Sequence, residues 1–385
     1  MPVRNRFAEW LPELTEWRRD FHAHPELLYD THRTAAKVAE RLRAFGCDEV
    51  VEGIGRTGVV GIIEGRAKGP TVGLRADMDA LPIAEETGAP HASTVPGKMH
   101  ACGHDGHTTM LLGAARYLAE TRNFAGRVAV IFQPAEEGGG GGLAMVEDGL
   151  IERFDIAEVY GLHNWPGMAP GSFAIRPGAF FAATDLFELV VHGRGGHAAK
   201  PHETVDPVFI ASQIVAGLQG IAARQTDPVD PVVVSVTSIQ SSSEAFNVIP
   251  SRVTMRGTVR TVSDSVRAAT EAALGRIARG IAEAHGARAE LDYMRGYPVM
   301  ANAETETGFA AGIAREVGGG CDAAPIIMAG EDFAYMLQKR PGAYILLGNG
   351  DSAPVHHPEY DFDDSVMPAG CSFWVELAER RLPLG

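Results

Sequence analysis

Residues 100–107 read HACGHDGH, three histidines and one cysteine in eight positions of a chain that holds 14 His and 4 Cys. Thiolate and imidazole suit zinc and other transition metals. Cys102 and His104 cannot share one helical face, but both can converge from a loop that enters a helix. A buried cysteine beside a helix-capping histidine is the other reading. His100 and His107 fit supporting positions, because a ligating imidazole needs its second nitrogen oriented by a neighbour.

Four further stretches carry similar chemistry. FQPAEEGGGGG places Glu136 and Glu137 directly after the apolar run VAVIF. Adjacent carboxylates in a loop can divide the work, one binding metal and the other acting as general base. GLHNWPG puts His163 behind another apolar segment, VHHPEYDFDD offers His356 and His357, and ADMDALP offers Asp77 and Asp79. Each residue alone reads as an ordinary polar loop residue. Together, Cys102, His104, Glu137, His163 and one of His356 and His357 make five ligands. Five ligands can hold two metals and leave positions open, and open positions mark a catalytic site. Metals paired about 3.5–4 Å apart are typical of hydrolases and aminopeptidases.

Loops so distant in sequence need a sheet to align them. TVGLRADM (71–78), RVAVIFQP (127–134) and GAYILLGNG (342–350) read as buried strands. Helical spacing runs through residues 7–45 in two stretches, and again from about Gly106 to Glu120. Strands alternating with helices predict an α/β sheet with both faces covered, and ligands there sit at the carboxyl ends of the strands. The texture changes near residue 184. A half-exposed strand TDLFELVVH precedes a helical stretch at about 204–224, strands at 232–240 and 252–260, a helix from Ser263, and a strand at 287–294. That order, β-α-β-β-α-β, is the ferredoxin-like split βαβ arrangement. The expected organisation is a mixed-sheet α/β domain from residues 1–183 and 295–385, interrupted by an inserted α+β domain at 184–294. The glycine run 138–142 lies between a strand end and a helical pattern, which fits a tight loop at a site as well as a flexible linker.

Composition narrows the partners. About two domains are expected from 385 residues, and 45% hydrophobic with 22% charged residues supports a substantial core. A net charge of −15 without a basic run argues against nucleic acid. No run approaches the length of a membrane span, and the amino-terminal stretch MPVRNRFAEWLPEL lacks the apolar core of a signal peptide. Cys47, Cys102, Cys321 and Cys371 are widely spaced, which fits a reducing cytoplasm rather than a disulfide framework.

The ordered motifs DMDALP, HACGHDGHTTMLLGAA, FQPAEEGGGG, GLHNWPG, GRGGHAAKPHETVDP, FNVIP, AGEDFAY and HHPEYDFDD resemble those of the aminoacylase/carboxypeptidase metallopeptidases. They are most similar to the branch of hippurate hydrolases, N-acyl-amino-acid amidohydrolases and auxin–amino-acid conjugate hydrolases, over roughly residues 10–380. The resemblance implies a catalytic domain binding two divalent metals (zinc, manganese, nickel or cobalt) and an inserted lid that carries the interface of a homodimer or homotetramer. It implies Cys102, His104, Glu137, His163 and His356 as ligands, with His357 as the alternative to His356. Glu136 matches the general base and Cys102 a thiolate able to bridge the metals. Asp77 stands where the wider family often has a histidine, and Asp79 fits a supporting position. His197 of GRGGHAAKPH matches a histidine that reaches a neighbouring subunit's active site, and Asn247 and Arg260 match residues that hold the substrate's carboxylate. The implied activity is hydrolysis of the amide of N-acyl amino acids. A dipeptidase or carboxypeptidase acting on short peptides, and a catalytically silent metal-binding relative, are the alternatives. A redox or nucleophilic role for Cys102 is a further reading.

Overall fold

The computed structural model describes residues 5–385. The chain forms two compact units, one from residues up to Gly178 with Ala301–Pro325 and Asp332–Gly385, the other from Ala179–Met300 and Ile326–Glu331. The short second excursion, 326–331, has no signal in the hydrophobic pattern.

The first unit is built on an eight-stranded mixed sheet. Its strands are β1 (Glu49–Ile54), β2 (Gly58–Glu64), β3 (Ala67–Asp77), β4 (Ala125–Gln133), β5 (Ile156–Trp165), β6 (Phe173–Ile175), β15 (Cys321–Ala323) and β16 (Gly342–Gly348), in the order β1-β2-β4-β3-β5-β16-β6-β15. The central run β4-β3-β5-β16 is parallel. These strands are continuous apolar runs because both faces are covered; all seven residues of β16 are buried. Helices α1 (Asn5–Ala23), α2 (His32–Phe45), α3 (His104–Thr121), α8 (Glu304–Gly318) and α10 (Met367–Arg381) supply the cover, with α3 lying against α1, α2 and α10. Short helices α4 (Gly141–Glu147), α5 (Leu150–Arg153) and α9 (Ala334–Leu337) complete the unit. From β3 the chain goes through α3 to β4 on one side, then through α4 and α5 to β5 on the other. That reversal opens a crevice at the carboxyl ends of β3, β4 and β5, where such sheets bind ligands.

The two helical stretches within 7–45 are separate helices. Between them the chain turns at His24-Pro25, where the residue before a proline is driven out of helical conformation. α3 begins at His104, two residues before the expected start, because Gly103 caps it in the left-handed region at φ +87°. Strands β1 and β2 are short hairpin partners that the sequence reading left unmarked.

The chain leaves the first unit along β7 (Gly178–Phe181) and returns along β14 (Met300–Asn302). The second unit holds a four-stranded antiparallel sheet of β8 (Ala183–His192), β10 (Val232–Ser241), β12 (Arg252–Thr261) and β13 (Arg288–Arg295), ordered β10-β12-β8-β13. With α6 (Pro207–Gly220) after β8 and α7 (Asp264–Ala284) after β12, this is the split βαβ arrangement. Alternate residues of β8 (Phe187, Leu189, Val191) are buried in one apolar core with Ile210 and Ile214 of α6 and Leu274 and Ala278 of α7. Asp206 and Ser263 cap the two helices by accepting backbone N–H bonds. α6 ends at Gly220, and 221–225 are wound as a wider π turn rather than as continuing α-helix. A small ribbon pairs β9 (Gly196–His197) with β11 (Val248–Ile249).

Candidate metal centre

The centre is assembled at the parallel strand ends of the first unit. Cys102, Gly103 and His104 form the turn into α3. Gly103 is required there twice over. Its φ is positive, and a Cβ would collide with the Asn164 amide and the Tyr360 hydroxyl. The Nδ1 of His104 donates to the backbone carbonyl of Asp79 at 2.8 Å, which leaves its Nε2 buried and without a hydrogen-bond partner. His163, at the end of β5, donates Nδ1–H to the carbonyl of Asn164 at 2.5 Å, and its Nε2 lies 3.3 Å from Cys102 Sγ. Each imidazole is therefore oriented by a backbone carbonyl and turns its free nitrogen toward the same space.

Glu136 and Glu137 follow β4. Asp79 accepts both of their backbone N–H groups, at 2.9 and 3.1 Å, and so fixes the turn that presents their side chains. Glu137 Oε1 lies 3.3 Å from His356 Nε2 and 3.9 Å from His104 Nε2. It is His356 that meets the cluster. The half-buried His357 instead accepts the backbone N–H of Glu359. Among the described residues, five groups of donor atoms lie within 4.8 Å of one another, and three of them use only these candidates: Cys102 with His104 and His163, Cys102 with Glu137 and His356, and His104 with Glu136 and Glu137. Cys102 belongs to two of them.

The electrostatics suit a cation. Burial opposes protonation of His104, yet the carboxylates of Asp77, Asp79 and Glu137 outweigh it and raise its pKa to about 10. Burial and the neighbouring His107 hold His163 well below the ordinary histidine value, so it is neutral. Burial, reinforced by Glu137, Glu136 and Asp77, pushes the Cys102 thiol well above its usual range. A nucleophilic or redox cysteine needs the opposite shift. With a divalent cation among these donors, the proton on His104 and that on Cys102 would be displaced. The orphaned Nε2 of His104 and the unbonded Oε1 of Glu137 would gain partners. The residues present thus fit a borderline divalent metal.

Asp77 is occupied otherwise. One oxygen takes the Arg75 guanidinium at 2.8 Å and the other the Nδ1–H of His107 at 2.6 Å. His107 in turn accepts the Asn164 backbone N–H on Nε2 at 2.9 Å, so both its nitrogens are engaged. Asn164 closes this network by donating to the Cys102 carbonyl at 2.6 Å and accepting from Tyr360 at 2.6 Å. Asp77, His107, Asn164 and Tyr360 thus bond one another around the ligand candidates, with Asp77 and His107 also close enough to His104 to form a donor group with it.

A second buried network stands behind HACGH. Arg18 and His22 of α1 are fully buried. His22 Nδ1 is 2.8 Å from Asp105, its Nε2 is 3.3 Å from Glu85, and Arg18 bonds Asp364 at 2.6 Å and reaches Asp105 at 3.4 Å. The cluster ties α1 to the start of α3, to the 79–100 loop and to the loop that follows His356. Sequence reasoning passed over these residues. Their signal was present: Arg18 and His22 share a helical face with Leu14 and Phe21, and a charge on an apolar face calls for a buried partner.

The remaining candidates lie in the second unit. His197 pairs with Val248, and Ala198 N–H donates to the Asn247 carbonyl, so His197 and Asn247 are neighbours, both exposed. Arg260 sits on β12, where it contacts Thr258 and the Val259 carbonyl. The ribbon bearing His197 lies beyond the Arg252 end of β12, since Gly193 bonds Ser251 and Arg252 pairs with His192. Eight residues of strand separate that end from Arg260, or about 26 Å. One copy of this unit does not bring Arg260 together with His197 and Asn247.

Known proteins resemble this chain in sequence and fold. Residues 73–380 match the family model of peptidase family M20/M25/M40. A hippurate hydrolase of Campylobacter jejuni is 40% identical over 96% of this chain and 97% of its own length. Thermostable carboxypeptidase 1 of Saccharolobus solfataricus is 41% identical over 96% of each chain. The crystal structure of a Bacillus subtilis protein, described as a dinuclear metal-binding peptidase of the M20 family, superposes with a TM-score of 0.87 at 35% identity, covering 97% of this chain and 99% of that one. The motifs HACGH, FQPAEEGGGG, GLHNWPG and HHPEYDFDD supply the residues that meet at the strand ends, and the chain belongs to peptidase family M20/M25/M40.

Proposed function

We propose that this chain hydrolyses the amide bond of N-acyl amino acids, releasing a carboxylic acid and a free amino acid, with two divalent ions held by Cys102, His104, Glu137, His163 and His356. The observation that carries the reading is the sharing of Cys102 between two donor groups, with Glu136 beside them. Cys102, His104 and His163 would hold one ion, and Cys102, Glu137 and His356 the other, with the thiolate between. Such a pair polarises a carbonyl and lowers the pKa of a water toward neutrality. Zinc, manganese, nickel and cobalt all accept these donors.

The side chains do the rest. Glu136 takes the proton from the attacking water and returns it to the leaving amine. Arg260 grips the substrate's carboxylate through its planar fork, with Asn247 beside it, and so sets the scissile bond. His197 donates a hydrogen bond to the acyl oxygen as it gains charge. The roughly 26 Å of strand between Arg260 and the end of β12 that borders the His197–Asn247 ribbon supports a site that takes these groups from two copies of the chain, as a homodimer or homotetramer would provide. Phe246 and Val248, exposed beside Asn247, suit that pairing. Residues 184–294 then act as lid and interface, and 1–183 with 295–385 as the catalytic domain. Four unpaired cysteines favour a reducing, cytoplasmic setting, and no described helix is long and apolar enough to cross a membrane. The identity to a carboxypeptidase supports short peptides as a second substrate class.

The test is Glu136→Gln. It should retain two metals per chain by elemental analysis and lose at least a hundredfold in kcat on N-acyl amino acids. Full activity in this variant, or an unmodified enzyme whose hydrolysis survives chelation, would refute the assignment. Comparing N-acyl amino acids with dipeptides separates the two substrate classes.

A further inference from the structure

Non-glycine residues with positive φ are few: among the described residues they are Leu28, Arg56, Arg122, Ala135, Asp155 and His356. Two of them belong to the proposed site, since Ala135 precedes Glu136 and His356 is a ligand candidate. Leu28 and Arg56 lead to a feature the mechanism has not used. Leu27 bridges to Ala80, and the Ala80 N–H bonds Glu26, so the segment 26–29 runs beside Asp79. From there Tyr29 extends its hydroxyl to the carbonyl of Gly139 at 2.8 Å. The Arg56 guanidinium lies over the Tyr29 ring, 4.0 Å from its centroid, and Thr57 donates to the Tyr29 carbonyl at 3.0 Å.

Gly139 lies three residues beyond Glu136 in the run Gly138–Gly142. Five consecutive glycines have no side chains with which to hold a shape, and ordering them is entropically costly. A side chain would clash at Gly139, Gly141 and Gly142. A Cβ on Gly139 would meet the Ala135 Cβ at 2.6 Å, and one on Gly142 would meet the Asp332 carbonyl at 2.7 Å. The loop is therefore pinned from outside. Asp79 takes the N–H groups of Glu136 and Glu137, Gly141 N–H bonds the Ala135 carbonyl at 3.0 Å, and Asp332 takes the Gly142 N–H at 2.7 Å. Between these anchors, Tyr29 holds the middle of the run.

We propose that Tyr29, braced by Arg56, is a positioning residue that fixes the glycine loop and through it the attitude of Glu136. The proposal rests on the function given above. The tyrosine neither touches substrate nor exchanges its proton. It restricts the loop so that the carboxylate of Glu136 stays aimed at the attacking water, where a small misplacement is expensive in rate.

The test is Tyr29→Phe in the full, metal-loaded chain, which removes one oxygen and keeps the ring under Arg56. Three quantities are compared with the unmodified protein: kcat and KM on an N-acyl amino acid, metal content, and hydrogen exchange of the amides of 138–142. The expected result is a kcat lower by roughly five- to tenfold, as for loss of one hydrogen bond, with KM within about twofold, metal content unchanged and faster exchange in the loop. Unchanged exchange overturns the proposal, whatever kcat does. Faster exchange with unchanged kcat overturns it too, because the loop would then be ordered without serving turnover. If the unmodified protein turns over no amide, the functional reading fails by itself, and unchanged or faster exchange still refutes or upholds the pinning of the loop.

Discussion

Replacing His22 by Gln tests whether the buried network behind HACGH works as charge or as packing. The imidazole lies on α1, between Asp105 and Glu85. Burial disfavours its charged form, but the bonds to Asp105 and Glu85 prevail and raise its pKa from 6.5 to about 9. At ~1.36 kcal/mol per tenfold change in proton affinity, the rise amounts to roughly 3 kcal/mol of stability. Asp105 and Glu85 are held low by the same contacts, Glu85 at about 2, so their shifts describe the same free energy and are not added. A group whose pKa rises on folding stabilises fully below its unfolded value and loses that contribution as pH climbs through its folded value. The window is therefore pH 6.5 to about 9. The assay is thermal unfolding of the metal-loaded protein and of His22→Gln at pH 6 and at about pH 9.5. At ~2 °C per kcal/mol for a unit of this size, the variant should melt roughly 6 °C lower at pH 6. Near pH 9.5 the difference should shrink to about a degree, because the unmodified His22 is then neutral as well. A gap that stays constant across that range would show that His22 fills space and does not act as a cation.

Cys102→Ala should reduce bound metal by one or both equivalents in elemental analysis, because both proposed ion sites share its sulfur; undiminished metal would remove Cys102 from the ligand set. Asp185→Asn should destabilise the second unit by about 3 kcal/mol, read as an earlier calorimetric transition, since Asp185 takes the Arg267 guanidinium, the Tyr293 hydroxyl at 2.7 Å and the Gly296 N–H at 3.0 Å. Mixing Glu136→Gln with His197→Ala protein after dissociation and reassociation should restore part of the activity that each lacks alone. No recovery from a mixture shown to form hybrids would place His197 within its own chain's site.

What the sequence disclosed and what it withheld divide along physical lines. Periodicity exposed the strands of the parallel core, because strands buried on both faces become unbroken apolar runs, as in VAVIF of β4 and YILLG of β16. The order of elements in 184–294 was equally open, since alternating strands and amphipathic helices permit few arrangements. Five donors scattered from Cys102 to His356 could be counted as a set because they are metal-binding residue types in loops, with Glu137 and His163 just behind apolar runs. Asp79, by contrast, shows nothing in sequence of the two N–H groups it takes from Glu136 and Glu137, because that contact depends on β3 and β4 lying side by side. The pairing of Arg18 with Asp105 and Asp364 is hidden for the same reason, spanning 87 and 346 residues.

That hidden layer explains why residues so rich in histidine yield so few free donors. Of the three histidines in HACGHDGH, only His104 turns an unengaged nitrogen toward the other ligand candidates. His107 spends one nitrogen on Asp77 and the other on Asn164, and His100 lies beside His22, buried and held to about 3 chiefly by burial. The selection follows from what each ring can bond to. A backbone carbonyl, as at Asp79 for His104 and Asn164 for His163, fixes one nitrogen and leaves the other turned toward the centre; at His104 the nearby carboxylates favour the imidazolium, so a bound cation would displace a proton there. Asp77 and Asp105 bond His107 and His22, and each is balanced by arginine: Arg75 for Asp77 and Arg18 for Asp105. The arrangement concentrates imidazole nitrogens, one thiol and Glu137 at the strand ends and places compensated charge around them, a distribution that suits divalent cations.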